Sequence, residues 1–311
     1  MSQFVPKEDG VPIRQPSTAN LMIDSADRGQ DSLGLLLGSA NDFQIARSNS
    51  ILNGFFTRVG TTEIVLEWQT PNFSPTADAA DTVSIIYTAP TDPPAYNAPV
   101  PSAFYTQAQL VDLLARYLNL VGATTTPATT WTVVTTPSTS TLAVQVRIVP
   151  NQTVTVEIGG TLGQRLRITP GPQVVDTTGI RIFASDLRLY RYIDFISTQL
   201  TYNQALKDAS TAQIVRDVLA RWYFAFDEPP TFDTYGFPIL MGYTPFVLRR
   251  TFSPPKQIRW ESNIPIGNLS FQVYQPNGEL ALMTDGPLGQ AVTNAATVGT
   301  NWLMTLQVSE I

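Results

Sequence analysis

Along Glu63-Ile64-Val65-Leu66-Glu67-Trp68, the large apolar residues Ile64, Leu66 and Trp68 alternate with Glu63, Val65 and Glu67. A period of two predicts a strand with one buried face and one more polar face. The run is led into by Ile51–Phe56 and stops at Thr70-Pro71-Asn72, a cluster of turn formers. Similar short runs recur at 82–87, 131–134, 165–168, 179–183, 187–196, 246–252, 257–261, 269–274, 280–283 and 302–308. Leu142–Val149 and Thr153–Ile158 flank Pro150-Asn151 and predict a hairpin. Asn277-Gly278 is the strongest hairpin signal, because Asn and Gly tolerate the positive φ of a type I′ turn.

Twice the period lengthens. Thr106 is placed to cap a helix over QAQLVDLLARYLN, with Leu110, Leu113, Leu114, Tyr117 and Leu118 along one face and an end near Asn119 and Gly122. Its stripe is read as packing on a sheet. A second helix is predicted over Ser210–Trp222, where Ile214, Val218, Leu219 and Trp222 share a face. Many short strands with two helices indicate a sandwich or barrel, and no fixed-period repeat supports a solenoid or propeller. The first twenty or so residues are polar, Pro-containing and aperiodic, which predicts an extended arm that orders against a partner.

Composition narrows the chemistry. The 311-residue chain has neither histidine nor cysteine, which removes Ser-His-Asp triads, thiol nucleophiles, disulfides and His- or Cys-bearing metal centres. Carboxylate pairs, Lys, Tyr and carboxylate-bound Mg²⁺ or Ca²⁺ remain. Only 14% of residues are charged, against about a quarter in an average domain. Surfaces covered by neighbours carry less charge than free ones, so this depletion points towards assembly. A net charge of −6 argues against nucleic acid as a partner, and Arg249, Arg250, Lys256 and Arg259 read as ordinary strand ends. No apolar run is long enough to span a bilayer and the N-terminus lacks an apolar signal core, so the expectation is synthesis and folding in the cytosol.

Few clusters invite a chemical reading. Asp24, Asp27 and Asp31 with Gly29 fall near a calcium-loop spacing, but Ala26, Arg28 and Leu35 occupy positions that need oxygen ligands. They read as turn and capping residues, with Asp24 and Arg28 as a local polar clamp fixing the arm. Glu63 and Glu67, about 13 Å apart on one strand face, are too far apart for a glycosidase pair. Asp227, Glu228 and Asp233 lie among Trp222, Tyr223, Phe224, Phe226 and Tyr235, a grouping that suits either a sugar-binding cleft or a subunit contact. Gly159-Gly160-Thr161-Leu162-Gly163 lacks the lysine of a phosphate loop and is read as a turn. The Trp and Tyr residues show no basic interleaving that would make a nucleic-acid stacking platform.

The order of several motifs carries a resemblance. Ile23-Asp24-Ser25-Ala26-Asp27-Arg28 is followed by Asn41-Asp42-Phe43-Gln44-Ile45, then Trp68-Gln69-Thr70-Pro71-Asn72, then Phe104-Tyr105-Thr106 opening the helix. Later come Pro255-Lys256-Gln257-Ile258-Arg259-Trp260, Gly267–Tyr274 and Gly278-Glu279. This series resembles the penton-like and minor capsid proteins of virophages, polinton-like viruses and related DNA viruses of the double-jelly-roll lineage. The likeness runs over Leu21–Asn119 and Phe246–Leu282.

The resemblance implies an all-β jelly-roll sandwich with two short helices and an extended N-terminal arm. Residues 1–40 would be arm and linker, and 41–311 a jelly-roll capsid domain, with the stretch around 123–224 either an insertion or part of the same jelly roll. It implies a non-enzymatic virion protein, without cofactor or metal, that closes icosahedral vertices as a pentamer and touches the major capsid protein, with a host receptor as a further partner. Ile23, Asp24, Asp27 and Arg28 would belong to the assembly arm. Trp222, Tyr223, Asp227, Asp233 and Tyr235 would form an interface or glycan-contact loop. Two alternatives stay open: a minor or cement capsid protein beneath the facets, and a carbohydrate- or receptor-binding sandwich module.

Overall fold

The computed structural model describes residues 18–29, 32, 39–46, 58–68, 72–73, 82–89, 91, 93–101, 103–137, 144–188, 190–201, 206–207, 215–216, 218–224, 231–240, 246–259, 267–276 and 301–309. The chain begins with β1 (Thr18–Asp24), a 3-10 turn (Ser25–Asp27), β2 (Asp42–Ala46), β3 (Arg58–Trp68), β4 (Thr82–Ala89) and β5 (Tyr96–Pro99). Helix α1 (Gln107–Gly122) leads to β6 (Trp131–Pro137), β7 (Val144–Pro150), β8 (Val154–Gly159), the short helix α2 (Gly160–Arg165), β9 (Gln173–Val175) and β10 (Ile180–Ile182). Next come β11 (Tyr192–Ile196), β12 (Leu206–Lys207), β13 (Val215–Arg216), β14 (Val218–Tyr223), β15 (Thr231–Phe232) and β16 (Pro238–Ile239). The last strands are β17 (Phe246–Thr251), β18 (Gln257–Arg259), β19 (Asn268–Tyr274) and β20 (Trp302–Ser309).

Two sheets enclose the first core. One runs β1-β20-β3-β17, with β18 continuing along β3, and the other runs β14-β11-β19-β2. Counting these eight strands in the order the chain reaches them, the sheets read 1-8-3-6 and 5-4-7-2, which is the strand order of a jelly roll. The alternation read in β3 is realised: Ile64, Leu66 and Trp68 are buried and Glu67 is exposed. Opposite Ile64 and Leu66 stand Met304 and Trp302 of β20. A bulge between Thr305 and Leu306 then pairs Leu306 with Thr61 and Val308 with Val59, so the inward face changes parity along β3. At the centre, Trp302 lies 5.5 Å from Phe43, 5.1 Å from Phe195 and 5.8 Å from Phe271, and its indole N–H donates to the Ala40 carbonyl. Burying each such side chain contributes about 1.5–3 kcal/mol.

The connection between β3 and β11 builds the second core. Sheets β5-β4-β8-β9 and β10-β7-β6 bury Val83, Ile85, Val146, Ile148, Val156 and Ile158 against α1. Helix α1 starts where the cap was expected: the Thr106 hydroxyl accepts from Gln109 N, and the Gln109 side chain accepts from Thr106 N. Leu110, Leu114 and Leu118 are fully buried, while Leu113 and Tyr117 lie at the margin. The helix is tied to the sheets at its far end. Tyr87 donates to the Leu118 carbonyl, Trp131 Nε1 donates to Tyr87 Oη at 2.6 Å, and the Asn119 side chain bonds both backbone groups of Trp131. The stretch 123–224 thus straddles both cores, with β6–β10 in the second and β11 and β14 in the jelly roll.

Three local expectations are corrected. Ser210–Trp222 is not a helix where it is described: Val215–Arg216 is β13 and Val218–Tyr223 is β14. The cause is a bulge at Phe195/Ile196 of β11, which leaves Leu219 between the partners of those two residues. Val218, Leu219 and Ala220 are therefore buried in succession, and a bulged strand imitates the spacing of a helix. Gly159–Gly163 is not a plain turn but runs from β8 into α2, because Gly160 (φ 73°) and Gly163 let the backbone approach Thr82 and Ile158 closer than any Cβ would allow. Arg165–Ile168 is the end of α2 rather than a strand. The expected elements at 51–56 and 280–283, the Asn277-Gly278 turn and the arm before Thr18 lie outside the described residues.

Candidate functional site

The Ile23–Arg28 motif is held by its own chain. Ile23 is buried in the jelly-roll core, and β1 pairs along its whole length with β20, Thr18 opposite Ser309 and Asp24 opposite Leu303. The Asp24 carboxylate accepts from Ala26 N at 2.8 Å, an Asx turn that starts the 3-10 segment containing Asp27. Buried Ser25 accepts from Trp302 N at 2.8 Å and donates to Asn301. Arg28 is buried beyond it. Asp31 lies outside the described residues.

The aromatic-acidic group is divided among three places. Trp222 is fully buried in the jelly-roll core, stacked at 6.5 Å on Phe224. Tyr223 faces outward on β14, half exposed and 5.7 Å from Tyr192. Asp233 and Tyr235 sit in the β15–β16 hairpin, which crosses to the second core and buries Phe237 and Leu240 there. Asp233 Oδ1 accepts from Tyr235 N and Phe237 N, and Oδ2 accepts from Ala108 N at 2.8 Å in the first turn of α1. Tyr235 donates to Asp112 Oδ1 at 2.6 Å, and burial together with that hydrogen bond pushes its phenol up to about 12. This pair of residues caps and clamps α1. Asp227 lies outside the described residues.

Sequence reading missed two ionic sites. On the outer face of the second jelly-roll sheet, Asp194 is fully buried and takes a two-pronged bond from Arg221, Nε to Oδ1 at 2.6 Å and Nη2 to Oδ2 at 2.7 Å. The Asp194 hydrogen bonds raise the Arg221 pKa, and its guanidinium lies 4.0 Å over the Tyr192 ring. The available signal was a charge within each apolar run, YIDFI and LARWY. At the passage between the cores, Arg188 holds Asp186 by two bonds of 2.7 Å and also donates to the Phe224 carbonyl, with Arg191 3.6 Å from Asp186. Burial pushes the Asp186 carboxyl up, but the Arg188 hydrogen bonds and both positive charges outweigh it and hold the group below its ordinary value.

The basic residues near β17 are engaged singly. Arg249 pairs with Glu63, Arg250 donates to the Tyr223 carbonyl and Lys256 to the Val218 carbonyl. Among the described residues, no group of three or more Asp or Glu side chains could hold a metal ion, and no helix is long and apolar enough to cross a membrane.

No protein-family model matches the chain, and no curated protein does. Among solved structures, the chain is similar to the mavirus penton protein, at 12% identity and a TM-score of 0.48, over 96% of this chain and 100% of that one. It is likewise similar to a chain from the 3.5 Å cryo-EM structure of the Sputnik virophage, at 13% identity and a TM-score of 0.47, over 95% of this chain and 98% of the other.

Proposed function

We propose that the chain is a structural virion protein: a capsid vertex subunit that assembles as a pentamer and contacts the major capsid protein. The observation that carries this reading is the 1-8-3-6 and 5-4-7-2 strand order, in which a rigid jelly roll takes a second sandwich between its third and fourth strands. The ordered motifs from Ile23 to Thr106 support it independently of the topology. So does a surface depleted in charge, as ring contacts between neighbours require. The inserted unit spans about 72–187, with the jelly roll as the assembling part and the insertion as the part displayed. The protein works by assembly and not by catalysis, and its place is the virion.

Mass photometry of the purified protein, followed by cryo-EM of the assembled species, tests the proposal. Fivefold rings, or density for this chain at the fivefold vertices of particles, are expected. A species that stays monomeric at every concentration and is missing from particles would overturn it. Density beneath the facets would transfer the protein to the minor capsid class.

A further inference from the structure

A groove of about 390 Å³ opens at the end of the second sandwich, where β9 is the last strand of one sheet and β10 the last of the other. Buried Ile168 and Ile180 line it, as do exposed Val174, Phe183, Arg167 and Arg181. The corner joining the two strands is fixed. Asp176 accepts from Thr178 N at 2.8 Å and Thr178 Oγ1 at 2.5 Å, Arg147 donates to the Thr178 carbonyl, and Gly179 holds φ 74° where a Cβ would lie 2.5 Å from the Ile148 carbonyl oxygen. The groove is therefore preformed.

Arg167 is the unusual residue in it. Helix α2 ends in a complete Schellman motif: Ile168 N donates to the Gly163 carbonyl and Arg167 N to that of Gln164, both at 3.0 Å. The left-handed position of that motif normally takes glycine, yet here Arg167 holds φ 57°. A residue that strains the backbone at the lip of a groove points to a use for its side chain. Among the described residues, the Arg167 guanidinium makes no hydrogen bond or ion pair. Arg181 only stacks over Phe183 at 4.8 Å. Two guanidinium groups thus face the groove with donors to spare, on a chain whose net charge is −6.

We infer that this groove docks an extended acidic peptide segment of a partner protein. Carboxylates would take Arg167 and Arg181, an apolar side chain between them would lie on Val174 and Phe183, and the backbone would add to the edge of β9 or β10. Those strand edges are unpaired among the described residues, which favours a peptide over a glycan. The inference is independent of the vertex proposal, which oligomer and particle measurements decide separately.

Fluorescence polarisation with the full chain and a fluorescein-labelled octapeptide of alternating Val and Glu tests it. Saturable binding that weakens as salt rises is expected. Arg167→Gly should weaken it about tenfold while raising Tm by about 2 °C, since glycine relieves the strained position. Arg181→Gln should weaken binding with no gain in Tm. Absence of saturable binding, or affinity unchanged by Arg167→Gly, would overturn the inference. So would Arg167-dependent capture of a heparin octasaccharide in place of the peptide.

Discussion

Arg221 and Asp194 face each other across β14 and β11 with unequal exposure, and that inequality decides what each substitution does. The Arg221 side chain keeps 29% of its surface in solvent and Asp194 keeps none. Asp194→Ala leaves a guanidinium that can turn to water, at a cost of about 1–2 kcal/mol. Arg221→Ala strands a buried carboxylate, and should cost about 3–5 kcal/mol in denaturant unfolding. Equal losses from the two would show that the pair is not the buried bidentate contact described. At Asp186 the effect is one of pH. Its folded pKa lies below the ordinary value, so the stability it confers is present above the unfolded pKa and is lost as pH falls through the folded one. Asp186→Asn should therefore flatten the acid limb of the stability curve measured by circular dichroism, and an unchanged limb would assign that loss elsewhere. The pairing of Asp194 with Arg221 was not legible in the sequence, since the two stand 27 residues apart and meet only through strand register.

Elements were legible where one period ran unbroken. Thr106 marked the start of α1, and Leu110, Leu114 and Leu118 marked its face. Strand β3 was plain from Ile64, Leu66 and Trp68 because its bulge falls outside that run. Strand β14 was misread because its bulge falls inside: a single inserted residue removes the alternation that marks a strand. Helix α1 is also held by a piece of chain more than a hundred residues away. Thr106→Ala removes one cap and should cost about 1 kcal/mol. Tyr235→Phe removes only the bond to Asp112, and about 0.5–1.5 kcal/mol is expected from urea unfolding. Additive losses in the double variant would mean the hairpin and the cap hold α1 separately. A coupling of more than about 0.5 kcal/mol would mean they hold it as one clamp.

At the scale of the molecule, the sequence announced a sandwich with turn-rich strands but not how strands distant in the chain pair. Ring order in a jelly roll depends on contacts such as Thr18 with Ser309, for which no local signal exists. The two cores are joined through the β15–β16 hairpin as well as through the chain. Phe237 leaves the jelly-roll half and is buried in the second core. Phe237→Ala should thus destabilise the second sandwich by about 3–5 kcal/mol and lower its melting temperature, and calorimetry showing only the jelly-roll transition displaced would contradict this placement. The position of β20 between β1 and β3 has a consequence for biosynthesis. The second sandwich is nearly complete once residue 187 has been made, needing only the hairpin residues, and even its longest-range pairing, β4 with β8, lies within that span. The first sheet of the jelly roll cannot close until residue 309 exists, because β1 and β3 share no pairing and wait on either side of an empty slot. During translation the nascent chain therefore carries two unsatisfied strand edges through most of its synthesis, the state in which chains of this kind are most exposed to aggregation and most in need of a chaperone.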